Sequence, residues 1–97
     1  MKLHDIAAAM TLEALMANMK PYDKRIHQLR GYTGSQIVAN NLNKLTEESE
    51  ILFSGGKKVQ DAYSMRSTPQ VAGTLRDSID YAASQVEIEL NGVGDNP

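Results

Sequence analysis

The sequence predicts an all-α fold, a fragment of a long-helix bundle with a polar loop between its helices. Residues 3–19 and 68–93 carry apolar side chains three or four positions apart, which is the period of a helix with one buried face. Ala, Leu and Met, which favour helices, dominate the first of these stretches. We interpret no alternating run of four or more residues as a strand. The 97 residues are long enough for one domain at most, so we expect residues 1–97 to form a single helical unit.

The first predicted helix covers Leu3 to Met19 and stops before Pro21, because proline disrupts a helix interior. Its apolar residues cover most of the circumference, as a buried helix requires: Leu3, Ile6, Met10, Leu12, Ala14, Leu15, Met16, Ala17 and Met19. A chain this short offers little to bury such a helix against. Together with the abrupt ends of the sequence, this pattern predicts a fragment that needs partner chains or further segments.

The middle of the chain predicts a second helix between two connections. Residues 21–33 indicate a long connection or a short helical turn, and Gly34-Ser35 an N-terminal cap. The helix should end around residues 47–50. The following Ser-Gly-Gly-Lys-Lys stretch, residues 54–58, predicts a flexible basic loop. It lacks the GxxxxGK[ST] spacing of a phosphate-binding loop and no predicted strand precedes it, so we do not expect nucleotide binding.

The last predicted helix has the clearest boundaries. Thr68 can cap it, Pro69 suits its first turn, and Gly92 and Gly94 end it. Arg76 and Asp80 are four residues apart and are expected to pair on its exposed face. Its apolar stripe is long enough for a helical bundle: Val71, Leu75, Ile79, Ala82, Val86, Leu90 and Val93.

Composition excludes several classes of function. The ten basic residues are scattered among twelve acidic ones and the net charge is −2, so no nucleic-acid partner is expected. No apolar run approaches the ~20 residues of a membrane span, so no membrane partner is expected either. The absence of cysteine excludes disulfides and thiol chemistry, and is compatible with the cytoplasmic location that we predict.

The spacing of the histidine and glutamate residues indicates neither a metal site nor a pair of catalytic carboxylates. His4 and His27 have no second ligand at a suitable spacing on a shared face, so both are interpreted as surface or packing histidines. Glu87 and Glu89 lie two apart and would point about 200° from each other on a helix.

Residues 60–70 form the densest polar stretch and are the candidate binding site. On one helical turn Gln60, Tyr63 and Arg66 would share a side. A planar guanidinium suits a carboxylate because it can donate two parallel hydrogen bonds. The alternative is a polar junction whose side chains satisfy backbone groups.

Three ordered motifs carry a family resemblance over residues 21–97. VQDAYSMRSTPQ at residues 59–70 resembles the QDxYSxR…PQ signature of the histidine, phenylalanine and tyrosine ammonia-lyases and the related aminomutases. PYDKRIHQLRGYTG at residues 21–34 resembles the family's P[FY]DxRIHxLR…G segment. EIELNGVGDNP at residues 87–97 resembles its E…N…DNP segment.

The resemblance implies a largely helical tetramer whose active sites draw on more than one subunit. An internal Ala-Ser-Gly triplet of such enzymes cyclises into a methylidene-imidazolone electrophile, which promotes loss of ammonia to give an aryl acrylate. Carried over by motif position, Tyr63 and Gln60 would be catalytic residues: Tyr63 would line the pocket near the electrophile, and Gln60 would hydrogen-bond within it. Arg66 would bind the carboxylate of the amino acid substrate.

The departures from the family pattern limit what this chain can do alone. It has no Ala-Ser-Gly triplet, and the family's catalytic tyrosine on a mobile loop lies upstream of the matching segment. Ser67 stands where members often carry cysteine. We therefore expect residues 1–97 to be inactive alone, to self-associate, and to form part of the central helical catalytic region of an enzyme of the histidine ammonia-lyase type. An aminomutase of the same family and a non-catalytic helical assembly module remain alternatives, and the aromatic substrate stays open.

Overall fold

The computed structural model describes residues 1–95, which form helices, turns and connections and contain no strand. The predicted all-α class is therefore confirmed. Asn96 and Pro97, which close the third motif, lie outside the described residues. Within residues 1–95, no helix combines the length and the apolar character needed to cross a membrane. The elements are α1 (Lys2–Ala14), a 3-10 turn (Lys20–Tyr22), α2 (Lys24–Arg30), α3 (Thr33–Thr46), α4 (Glu50–Phe53), α5 (Tyr63–Arg66) and α6 (Thr68–Asn91).

Helix α1 ends at Ala14, so the predicted extension to Met19 is wrong. Met16 adopts a left-handed conformation with φ 50°. The amides of Met16 and Ala17 then reach back to the carbonyls of Glu13 and Leu12, at 3.0 and 2.9 Å. These bonds satisfy carbonyls at the helix end and turn the chain. The turn was missed because the sequence has no glycine or proline at this point.

The connection after α1 contains the 3-10 turn and the two-turn helix α2. The Asp23 carboxylate caps α2 by accepting from the Arg25 amide at 2.9 Å, and Gly31 ends it with φ 81°. Helix α3 begins at Thr33, with Tyr32 at the N-cap position, so the predicted cap at Gly34-Ser35 is wrong. Ser35 lies inside the first turn, where its hydroxyl bonds to His27 instead.

Helices α3 and α6 meet through two glycines. A Cβ atom added to Gly34 would lie 2.1 Å from the Gly73 carbonyl oxygen, and one added to Gly73 would lie 2.4 Å from the Ser35 nitrogen. The absence of side chains therefore allows the two backbones to touch. Beside this contact the Asp77 carboxylate accepts from the Gly34 amide at 2.8 Å, so α6 caps the N-terminus of α3.

The core is small and lies between α1, α3, α4 and the first turns of α6. Its buried members are Ala9, Leu12, Ala17, Tyr22, Val38, Leu42, Leu52 and Ala72. Helix α6 buries only Pro69, Ala72 and Gly73, and every residue from 78 to 95 is exposed. Both predicted apolar stripes are thus largely exposed, with Leu3 82% and Leu90 80% accessible.

A buried carboxylate ties α1 to α3 and α6. Asp5 is 2% exposed and accepts from Asn41 Nδ2 at 2.7 Å and from Arg76 Nη2 at 2.8 Å. The predicted pair between Arg76 and Asp80 is therefore wrong, because Arg76 turns inward to a partner in α1. A buried charge needs such a partner to offset its lost hydration.

Candidate functional site

Helix α5 brings two of the three predicted site residues together. The guanidinium carbon of Arg66 lies 5.0 Å from the centre of the Tyr63 ring, which is cation–π range. Tyr63 is 71% exposed and borders a cavity whose volume is in the range of small-ligand pockets. That cavity, of 450 Å³, is lined by His4, Tyr63, Ser64, Ser67, Thr68, Val71 and Ala72.

Arg66 retains an unused hydrogen-bond donor. Its Nε atom is buried and has no hydrogen-bond partner among the described residues. The same holds for the Oε1 acceptor of Gln70, one turn further along. Because an unsatisfied buried polar group is costly, Arg66 Nε is well suited to an incoming acceptor such as a carboxylate.

Gln60 does not share a helical turn with Tyr63 and Arg66, contrary to the prediction. Helix α5 begins at Tyr63, and Gln60 lies exposed in the irregular segment before it. The structure therefore places Tyr63 and Arg66 side by side, and Gln60 on the connection that leads into them.

Two residues that sequence reasoning missed hold this connection. The backbone N–H of Asn18 donates to Asp61 Oδ2 at 2.6 Å, and the side-chain Nδ2 of Asn18 donates to the Lys58 carbonyl at 3.0 Å. The Tyr22 hydroxyl donates to the Met65 carbonyl in α5 at 2.5 Å. Burial raises the pKa of Tyr22 to about 12; the nearby Asp61 charge acts in the same direction and the Thr68 hydroxyl opposes it. Tyr22 is therefore a protonated donor at neutral pH.

The two histidines have packing and surface roles in the structure, as interpreted from the sequence. His27 is fully buried, and its Nε2 donates to the Pro21 carbonyl at 3.0 Å. Nδ1 lies 2.8 Å from the Ser35 hydroxyl oxygen, so both ring nitrogens have hydrogen-bond partners. His4 is about half exposed and lies 3.5 Å from Asp5. Residues 1–95 contain no group of three or more acidic or histidine side chains that could hold a metal ion.

A second arginine–tyrosine pair lies away from these motif residues. The Arg30 guanidinium carbon is 5.8 Å from the centre of the Tyr32 ring. Both border a separate cavity of about 300 Å³ together with Ser35, Gln70 and Thr74. Since Tyr32 is 61% exposed, much like Tyr63, this pair offers matched control substitutions.

Comparisons with known proteins agree over the whole chain. A family model described as "Aromatic amino acid lyase" matches residues 1–97. The sequence is 45% identical to histidine ammonia-lyase of Clostridium tetani over 98 residues, covering 100% of this chain and 19% of that protein. It is 48% identical to histidine ammonia-lyase of Gloeobacter violaceus over 98 residues, covering 99% and 19%. The chain thus spans about 19% of the length of these relatives. No solved structure matches it.

Proposed function

This chain belongs to the aromatic amino acid lyase family, and we propose that the full-length protein containing it releases ammonia from histidine. The observation that carries the choice of substrate is the identity of 45% and 48% to two proteins named histidine ammonia-lyase. The cytoplasmic location, the homo-oligomeric state and the excision of the chain from a central catalytic region remain predictions of the resemblance.

Arg66 supplies the anchor for the substrate in this proposal. Its buried, unpartnered Nε donor and its fixed position over the Tyr63 ring support this role, because the guanidinium is oriented before an acceptor arrives. A charged hydrogen bond of this kind contributes about 1.5–3 kcal/mol. Holding the carboxylate also fixes the position of the β-carbon, from which a proton must be removed.

Tyr63 and Gln60 act beside the anchor. The exposed Tyr63 hydroxyl can reach a substrate that Arg66 holds, since the two side chains are stacked. Gln60 is exposed on the adjoining connection, and its side-chain amide can both donate and accept a hydrogen bond. We propose that both residues orient the reacting groups, in line with their motif positions.

The implied methylidene-imidazolone group would supply the electrophile that activates the leaving amine. Residues 1–97 contain no Ala-Ser-Gly from which it could form, so it would come from sequence outside them. The residues present fit such a group beside them: Tyr63 is open to a cavity and Arg66 keeps a free buried donor. Their own contribution is to bind and orient the amino acid.

Because residues 1–97 contain no Ala-Ser-Gly triplet, we expect the purified chain of residues 1–97 to release no ammonia from any aromatic amino acid.

The test is an ultraviolet product assay on the full-length protein, with histidine, phenylalanine and tyrosine offered separately. We expect new aryl-acrylate absorbance with histidine. A β-amino acid detected by chromatography without free acrylate would replace the lyase by an aminomutase. If a folded full-length protein formed neither the aryl acrylate nor the β-amino acid, the non-catalytic assembly module would be favoured.

Variants of the full-length protein test the roles of the motif residues. Arg66→Lys should raise the KM for histidine at least about tenfold, because lysine cannot reproduce the two-pronged guanidinium contact. The control Arg30→Lys changes the arginine of the Arg30–Tyr32 pair, which lies away from the motif residues. Tyr63→Phe should lower kcat while Tyr32→Phe leaves it unchanged. Equal effects in target and control would contradict the assigned roles.

A further inference from the structure

The segment that carries the candidate site has little structure of its own. Between α4 and α5 the chain runs from residue 54 to 62 without a helix, and α5 has only four residues. Short, mostly exposed segments of this kind do not keep one conformation unaided. Residues 57–66, here called the site segment, are instead held by residues 16–22, here called the anchor segment.

Asn18 is the centre of the anchor segment. Asn18 is 9% exposed, and its backbone N–H and both polar atoms of its side chain form hydrogen bonds. Its Nδ2 reaches the carbonyls of Lys58 and Val59 at 3.0 and 3.5 Å, and its Oδ1 accepts from the Lys20 amide at 3.1 Å. Its backbone amide donates to the Asp61 carboxylate at 2.6 Å. These contacts flank Gln60 on both sides.

The two ends of the site segment are held as well. At one end the Lys57 ammonium donates to the Met16 carbonyl at 3.1 Å. At the other end the Tyr22 hydroxyl donates to the Met65 carbonyl, next to Arg66. Tyr22 is fully buried in the core, so its contact ties α5 to the core.

We infer that Asn18, Tyr22 and Asp61 are positioning residues that fix Gln60, Tyr63 and Arg66 relative to one another. None of the three needs to touch the substrate. The inference rests on the proposed function for its kinetic consequence only, because the anchoring itself is a property of the described contacts. A displacement of about 1 Å in a reacting group costs up to about 100-fold in rate.

The experiment combines hydrogen exchange by mass spectrometry with histidine kinetics on the full-length protein. Asn18→Ala removes the bonds to Lys58 and Val59. Asp61→Ala removes the acceptor for the Asn18 amide, whereas Asp61→Asn keeps an acceptor oxygen there. Tyr22→Phe removes only the hydroxyl and preserves the ring, which guards against a simple failure to fold. Asn40→Ala, at an exposed asparagine on α3, is the matched control.

We expect Asn18→Ala and Asp61→Ala to speed exchange across residues 57–66 at least tenfold, with little change elsewhere. The value of kcat/KM should fall about 10- to 100-fold, with a raised KM as well as a lowered kcat, because Arg66 and Tyr63 are displaced together. Tyr22→Phe should act in the same direction on residues 63–66. Asp61→Asn should restore both readouts to within about threefold of wild type, and Asn40→Ala should change neither.

Two results would overturn the inference. One is exchange in residues 57–66 that is unchanged, or accelerated equally throughout the chain, in both alanine variants. The other is faster local exchange with kcat/KM within twofold of wild type. A wild-type protein without activity on histidine would sink the proposed function instead, and localised acceleration of exchange would then still support the anchoring.

Discussion

Replacing Gly73 by alanine should separate α3 from α6 and cost much of the stability of the chain. The added Cβ would lie 2.4 Å from the Ser35 nitrogen and 2.5 Å from its Cα. Both are backbone atoms of a helix, so no side chain can rotate aside. An ordinary contact is about 3.5 Å, and the helices must therefore move apart by about 1 Å.

Three effects set the size of the change. Overpacking against a rigid neighbour costs about 1–3 kcal/mol. The same movement stretches the 2.8 Å bond from the Gly34 amide to Asp77, a charged hydrogen bond worth about 1.5–3 kcal/mol. Alanine recovers about 1 kcal/mol because it favours a helix interior over glycine. We therefore expect a net loss of about 1.5–5 kcal/mol in the free energy of unfolding.

Urea unfolding of residues 1–97, followed by circular dichroism at 222 nm, measures this loss. Gly56→Ala is the control, since a Cβ at Gly56 meets nothing within 4 Å, and it should stay within about 0.5 kcal/mol of wild type. Gly34→Ala should resemble Gly73→Ala, and the double variant should lose less than the two separate losses combined, because one helix separation relieves both clashes. A Gly73→Ala chain as stable as wild type would refute the close contact.

Three further outcomes follow from other parts of the structure. Asp5→Asn leaves Arg76 without a charged partner in a largely buried place and should cost about 3–5 kcal/mol in urea unfolding, whereas the exposed Asp80→Asn should cost under about 0.5. Equal costs would contradict the buried pair. Since the folded-state pKa of Tyr22 is about 12 against an ordinary 10.0, its stabilising contribution is complete below pH 10 and is lost as the pH rises through 12. Between pH 10 and 12 the free energy of unfolding of Tyr22→Phe should therefore fall by about 2–3 kcal/mol less than that of wild type. If the free energies of unfolding of the two proteins changed in parallel with pH, the raised pKa of Tyr22 would be contradicted. The exposed apolar side chains of α6 should cause self-association of residues 1–97, and a well-folded monomer in light scattering would count against this.

Local signals in the sequence sufficed for the fold class and placed the ends of α6 closely, but the predicted cap at Thr68 is wrong, because Ser67 is the N-cap and Thr68 is already helical. Pro69 lies in the first turn, where its fixed φ suits a helix start, so this signal does not depend on the rest of the molecule. The motif also indicated the neighbouring placement of Tyr63 and Arg66, although it could not show that α5 begins only at Tyr63.

The remainder depended on contacts distant in sequence. Arg76 has an acceptable partner four residues away, yet it pairs with Asp5, 71 residues earlier, because a buried carboxylate demands a charge more strongly than an exposed one. Glycine within a helical pattern signals a close approach, but the pattern does not say that Gly34 meets Gly73. The apolar stripe of α6 is buried only at its first turns, because no other segment of residues 1–95 packs against the rest of that helix.

The hold of the anchor segment on the site segment also bears on the order of folding. The bond from Asn18 to Asp61 and the bond from Tyr22 to Met65 each join residues 43 positions apart. Closing such a loop costs chain entropy before any contact offsets it, whereas helices form within about a microsecond. We expect the helices to form first and the arrangement around Arg66 to be among the last native features to appear. Removing the hydrogen bonds of Asn18 should then speed unfolding more than it slows folding. The arrangement around Arg66 should also be the first native feature lost on unfolding.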